Sequence, residues 1–160
     1  MNIFEFARDK EKQAEGLYRI LAGMGLSEGM TALFTRLADA EKDHYIIIKK
    51  IETAEKIDIS SSDILSFAQE TIDKMKSGEV KFKMATSQIE VYKAAQAQED
   101  ETEKFYLEHS EKSTDEHQRK VLLALAKEEH QHCIVLENII EFISFPENHP
   151  ENAEYNTKEE

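Results

Sequence analysis

A set of four residues occurs twice in this chain at one fixed offset of 88 positions, and this repeat most constrains the fold. The set consists of two glutamates, a tyrosine and a histidine: Glu11, Tyr18, Glu41 and His44 recur as Glu99, Tyr106, Glu129 and His132. Ser27 and Asp115, which can each cap a helix, are separated by the same 88 positions. A repeat without gaps predicts that residues 3–55 and 91–143 fold alike.

The composition favours a chain made of helices alone. The 160 residues include 5 glycines and 2 prolines, with 40% hydrophobic and 33% charged residues. Few helix breakers and abundant Ala, Glu, Lys and Leu are typical of an all-α protein. We expect one domain at residues 1–145, followed by a polar, poorly ordered tail at 146–160 that contains both prolines.

Each half of the repeat predicts one antiparallel helix hairpin. In the first half we expect a helix from about Ile3 to Met24, then a helix capped by Ser27 that reaches about Lys56. In the second half we expect a helix from about Ala85 to Lys112, then a helix capped by Asp115 that ends near Phe145. The predicted fold is therefore a four-helix bundle of two hairpins.

A long connection joins the two predicted hairpins. It covers residues 57–84, and Ser61, Ser62 and Asp63 within it can cap a short helix that ends before Gly78. A connection of this length can carry the chain along the bundle before the second hairpin begins.

The repeated glutamates lie inside the apolar stripe of each predicted helix. In the first helix, for example, Glu11 falls between Ala7 and Ala14 at helical spacing and in line with Tyr18. An ionised carboxylate without a partner costs several kcal/mol in a protein core, and several carboxylates close together repel one another. No Lys or Arg lies in these stripes, so the pattern predicts bound cations.

The residue types indicate which cations these would be. Glu-x-x-His places both side chains on one face of a helix, so both can reach one ion. Four carboxylates and two imidazoles suit a pair of iron or manganese ions, and this set agrees with the general pattern of dinuclear carboxylate bundles. A single Glu-x-x-His on an acidic helix is more often a solvated surface, so the prediction depends on the duplicated register.

Charge and cysteine content exclude several other classes. The net charge is −13, which argues against nucleic acid as a partner. Cys133 is the single cysteine, so these 160 residues cannot form a disulfide framework or a four-cysteine metal site. The N-terminus lacks the features of a secretory signal, and no apolar run is long enough for a membrane span, so we expect a cytoplasmic protein.

Four other residues with side chains that can bind metal are expected to lie outside the site. We expect Cys133 to be a small core residue and His130 to point outward, and we expect His117 and His149 to be exposed to solvent.

Two pairs of sequence stretches resemble the rubrerythrin branch of the ferritin-like superfamily over about residues 3–145. They are residues 11–18 (EKQAEGLY) and 37–44 (LADAEKDH) in the first half, with residues 99–106 and 125–132 in the second. The resemblance implies a ferritin-like bundle in which six residues bind two iron ions, with manganese as an alternative: Glu11, Glu41, His44, Glu99, Glu129 and His132. It also implies that Glu41 and Glu129 bridge the ions, while the hydroxyls of Tyr18 and Tyr106 hold ligand carboxylates.

The same resemblance implies a non-haem di-iron oxidoreductase that reacts with hydrogen peroxide or dioxygen in oxidative-stress defence. Electrons would come from an external donor such as a rubredoxin, and we expect a homodimer that binds neither nucleic acid nor membrane. Thr102 stands where rubrerythrins often carry an additional Glu, which argues against their iron-shifting peroxidase mechanism. A ferroxidase, a metal carrier without turnover and a purely structural bundle are the alternatives.

Overall fold

The computed structural model describes residues 2–79 and 88–145, and the described part of the chain is helical, without strands. Its helices are α1 (Ile3–Ala22), α2 (Glu28–Glu52), α3 (Ile64–Lys76), α4 (Ile89–Lys112) and α5 (Glu116–Ser144). Helices α1 and α2 pack against each other as one hairpin, and α4 and α5 as the other. The short helix α3 lies in the connection and packs on α5 and α2. The predicted all-α, ferritin-like bundle is confirmed.

Side-chain caps begin three of these helices, and those at Ser27 and Asp115 are the two that the sequence predicts. The Oδ1 atom of Asn2 accepts a hydrogen bond from the backbone N–H of Glu5 at 2.8 Å. Ser27 and Asp115 do the same at the starts of α2 and α5, each for the backbone N–H three residues later, at 3.1 and 3.0 Å. Each cap satisfies one N–H that the first helical turn leaves without a partner.

The ends of α1 and α2 lie two to four residues before the predicted positions. Helix α1 ends at Ala22 and not at Met24, and the turn that follows contains Gly25 with φ of 66°. This left-handed backbone conformation favours glycine and allows a short turn into Ser27. Helix α2 ends at Glu52 and not at Lys56, because Ala54 also adopts a positive φ, 61°.

The predicted short helix in the connection is present as α3. Its first N–H, that of Ile64, is bonded to the hydroxyl of Ser62 at 3.0 Å, while the Asp63 carboxylate pairs with Arg36 of α2. Gly29 permits a close approach of α2 and α3, since a Cβ atom there would lie 3.0 Å from Thr71 Cγ2. The predicted start of the third long helix at Ala85, the end of the connection and the tail at 146–160, including His149, lie outside the described residues.

Two apolar clusters fill the bundle, one on each side of a buried polar layer. The larger cluster joins α1, α2, α4 and α5 with α3 and includes Phe34, Leu37 and Tyr92. The smaller one lies toward the other end of the bundle and includes Ile48, Leu122 and Leu125. Tyr18 belongs to the larger cluster and Tyr106 to the smaller, so one tyrosine borders the polar layer from each side. No helix in residues 2–79 or 88–145 has the length and apolar character to cross a bilayer.

Candidate metal centre

The structure brings together the six residues that the sequence singles out, although the two hairpins that carry them are far apart in the chain. Each is at most 4% exposed. The six, which we call the carboxylate–histidine cluster, are Glu11 of α1, Glu41 and His44 of α2, Glu99 of α4, and Glu129 and His132 of α5. Their predicted position on the inner faces of the helices is confirmed.

The cluster divides into two overlapping groups of four residues. One group is Glu11, Glu41, His44 and Glu129, and the other is Glu41, Glu99, Glu129 and His132. In each group one donor atom from every residue lies within 4.8 Å of the others. Glu41 and Glu129 belong to both groups, which is the arrangement expected of carboxylates shared by two ions.

The histidines connect the two halves of the bundle. Nδ1 of His44 lies 2.9 Å from Oε1 of Glu129, and Nδ1 of His132 lies 2.8 Å from Oε1 of Glu41. The two imidazole rings are nearly parallel, with centroids 5.9 Å apart. Each histidine therefore directs Nδ1 toward a shared carboxylate of the other hairpin.

The two tyrosines also bond across the halves. The hydroxyl of Tyr18 donates to Oε1 of Glu99 at 2.9 Å, and the hydroxyl of Tyr106 donates to Oε1 of Glu11. Burial beside these carboxylates raises the pKa of both tyrosines well above 10, so their hydroxyls remain protonated donors. This agrees with the prediction that they orient carboxylates.

The second oxygens of the same two glutamates have no hydrogen-bond partner. Oε2 of Glu11 and Oε2 of Glu99 are buried and accept no hydrogen bond from the described residues, although they lie 3.4 Å from Nδ1 of His44 and 3.5 Å from Nδ1 of His132. No ion pair in the described part of the chain joins the cluster to Lys or Arg. Leaving a buried acceptor unsatisfied costs about 1–3 kcal/mol, and more for a charged group. Unpartnered carboxylate oxygens beside imidazole nitrogens fit a pair of divalent cations.

Burial and mutual repulsion divide the carboxylates into two kinds. Burial, and then the negative charge of Glu11, raise the pKa of both Glu41 and Glu129 well above 4.5. Burial also raises the pKa of Glu99, but a hydrogen bond with Glu129 and the charge of His132 outweigh it and lower this pKa to about 2. The pKa of Glu11 is likewise lowered, because the charge of His44 outweighs the effect of burial.

His44 balances part of this negative charge. Burial alone would lower its pKa, but the charge of Glu11, whose Oε2 lies 3.4 Å from Nδ1, and the hydrogen bond to Glu129 raise it well above 6.5. Without metal, the cluster is thus stabilised by protons on the shared carboxylates and on His44. A cation that binds there would replace these protons.

The predicted exposure of the remaining residues is confirmed only in part. His130 is exposed, as predicted, and contacts Glu103 at the surface. Cys133 is half-buried and not a core residue, with Sγ 3.7 Å from the carbonyl oxygen of Gln96. The prediction for His117 was wrong: it is half-buried and accepts a hydrogen bond from the N–H of Ile57, because the connection folds back over α5.

The sequence analysis did not single out Glu128, which is only 9% exposed and has an unpartnered oxygen, Oε2. An acidic residue next to Glu129 in an acidic helix is ordinarily solvated. The repeat gives no separate signal for it, since Ala40 stands 88 residues earlier and most positions of the two halves differ.

The helices and the cluster together define a ferritin-like helical bundle with a buried carboxylate–histidine site that can hold metal. Residues 2–140 of the chain match the rubrerythrin family. The chain therefore belongs to the rubrerythrin family. No match was found among curated proteins or among solved structures.

Proposed function

We propose that this protein binds two iron ions in the carboxylate–histidine cluster and reduces hydrogen peroxide or dioxygen with them. The observation that carries the proposal is the pair of overlapping four-residue groups that share Glu41 and Glu129. Membership of the rubrerythrin family supports iron as the metal and oxidative-stress defence as the role. The Glu and His donor set would also accept manganese.

The six residues have complementary roles in this proposal. Glu11 and His44 would hold one ion, Glu99 and His132 the other, and Glu41 and Glu129 would contact both. Two bound ferrous ions would supply two electrons and Lewis acidity for cleavage of the oxygen–oxygen bond. The protein would supply the positions of the donor atoms, and the apolar clusters on both sides would exclude bulk water.

Hydrogen peroxide needs two electrons and two protons to become two waters. An external donor would return the electrons, because these 160 residues contain a single cysteine and cannot form a rubredoxin-type site. A rubredoxin is our proposal for that donor, a homodimer for the assembly and the cytoplasm for the location.

Repeated consumption of peroxide tests the proposal. Protein loaded anaerobically with Fe(II) is mixed with excess hydrogen peroxide and a chemical reductant, and peroxide is followed over time. We expect many equivalents to be consumed per chain, and none above background with a Glu41→Ala/Glu129→Ala variant. Consumption that stops after about one equivalent, with reductant still present, would indicate a ferroxidase or a metal carrier.

The hydroxyl of Tyr18 provides a second prediction. Tyr18→Phe removes the hydrogen bond that orients Glu99, and loss of such a partner typically lowers metal affinity by about 10–100-fold. Tyr92→Phe is the matched control: Tyr92 is equally buried, but its hydroxyl bonds to Gln88 and not to the cluster. Titration of metal-free protein with Co(II) measures both affinities. Equal affinity in the two variants would contradict the role given to Tyr18.

A further inference from the structure

A cavity of about 500 Å³ leads from the surface to the carboxylate–histidine cluster. It lies between α2, α5 and residues 58–62 of the connection, and we call it the crossover cavity. His44 is the member of the cluster that lines it, and Glu128 lines it from α5. His44 is also the most exposed of the six, at 4% against 1–2% for the others. The cavity therefore reaches the cluster on its His44 side.

The connection holds this cavity in place. The N–H of Ile57 bonds to His117 of α5, and the side chains of Ile57 and Ile59 pack against the smaller apolar cluster. Asp63 pairs with Arg36 of α2 at 3.1 Å. Residues 58–62 are thus fixed to both walls, so the cavity is part of the fold.

Two buried oxygens beneath the connection lack partners. Oε2 of Glu128 and Oε1 of Gln131 are both buried without a hydrogen bond in the part of the chain that the structure describes. Both residues also line a smaller adjoining cavity of about 130 Å³. Since buried acceptors without donors are costly, the position calls for a ligand that brings either positive charge or hydrogen-bond donors. A hydrated divalent cation brings both.

The charges around the crossover cavity also favour a cation. Exposed Asp39, Asp43 and Asp58 line it together with Glu128, against two positive side chains, Arg36 and Lys50. Arg36 is already paired with Asp63, while Asp39 pairs with Arg19. Lys127 adds a positive charge at the smaller cavity. Counting protonated His44, the crossover cavity itself remains net negative, with four acidic side chains against three basic ones, and one of the acids, Glu128, is nearly buried.

The two halves of the internal repeat differ at the position of Glu128. Its counterpart 88 residues earlier is Ala40, which lines the same cavity. The small side chain of Ala40 on α2 leaves space at this position, and Glu128 on α5 supplies a carboxylate.

We propose that the crossover cavity is the route by which divalent metal ions reach the cluster, with the Glu128 carboxylate as a transient contact along it. This inference rests on the proposed metal binding. Glu128 is not within the two groups of converging donor atoms, so we assign it to transfer and not to the final coordination. Exposed acids concentrate cations at the opening, and the buried carboxylate replaces lost water contacts further in.

The rate of metal uptake tests the route. Metal-free protein of all 160 residues is mixed anaerobically with Co(II), and uptake is followed by visible absorption. We expect Glu128→Gln to slow uptake by about tenfold, in the lower part of the range for electrostatic focusing, while the final metal content stays that of the unchanged protein. Glu111→Gln is the matched control: it removes the same charge at an exposed position of α4, away from the cavity, and is expected to leave the rate unchanged.

Raised ionic strength provides a second measurement. We expect salt to slow uptake in the unchanged protein more than in Glu128→Gln/Asp43→Asn, because the variant has lost part of the attracting charge. Equal uptake rates for Glu128→Gln and Glu111→Gln would overturn the route, and so would a loss of bound metal at equilibrium in Glu128→Gln. If the unchanged protein bound no Co(II), the proposed function itself would fail.

Discussion

Replacing Glu41 and Glu129 together by alanine is expected to leave the protein unable to hold either metal ion. Both carboxylates belong to both groups of converging donors, so the double substitution takes two of four donors from each ion at once. We expect elemental analysis to find about two iron or manganese ions per unchanged chain, as in other dinuclear carboxylate bundles, and essentially none in the variant.

The matched control for this experiment is Glu90→Ala/Glu111→Ala. Both residues are exposed on α4, and their replacement changes the net charge by the same amount. The control should retain the full metal content and the same far-ultraviolet circular dichroism. Two metal ions in Glu41→Ala/Glu129→Ala would place the site elsewhere in the chain.

Glu41→Gln is expected to stabilise the metal-free protein at neutral pH. Burial and neighbouring carboxylates raise the pKa of Glu41 in the folded state, so the folded protein holds this proton more tightly than the unfolded chain does. The metal-free protein therefore loses stability as pH rises from about 4.5 toward the raised pKa. Glutamine keeps an oxygen that can accept the hydrogen bond from His132, but it does not ionise.

We expect a gain of roughly 1–2 kcal/mol at pH 7, within the range seen when buried charges are removed, or about 2–8 °C in melting temperature. Thermal unfolding of metal-free protein between pH 5 and 8 measures it. The difference between Glu41→Gln and the unchanged protein should widen as pH rises. Glu99→Gln is the informative comparison, because the lowered pKa of Glu99 means that its ionised form already stabilises the fold above about pH 4.5. A difference between Glu41→Gln and the unchanged protein that stays constant or narrows from pH 5 to pH 8 would contradict the raised pKa of Glu41.

Local chemistry made much of this fold predictable from the sequence. The caps at Ser27 and Asp115 form because a short oxygen-bearing side chain can reach the N–H three residues later, which depends on neighbouring residues alone. The inward glutamates were predictable because helical spacing places them in the apolar stripes. The ends of α1 and α2 were less predictable, since they depend on the positive φ angles of single residues, Gly25 and Ala54.

Contacts between distant segments set the limit of such prediction. The six members of the cluster could be selected by their repeat, but the sequence does not specify that His44 faces Glu129 and not the Glu41 of its own helix. The burial of Glu128 depends on how residues 58–62 lie over α5, and the half-burial of His117 depends on its hydrogen bond to Ile57. Neither position carries a pattern of its own that predicts these contacts.

The hydrogen bonds of the cluster have a consequence for how the protein holds together. Four hydrogen bonds among the described residues join its members to each other or to Tyr18 and Tyr106 across the two hairpins. Metal ions bound there would hold the two hairpins together, so the free energy of unfolding would rise with the concentration of free metal. Under the proposed function, cells short of iron would contain a looser protein that is more easily degraded, so its abundance would follow the supply of the metal.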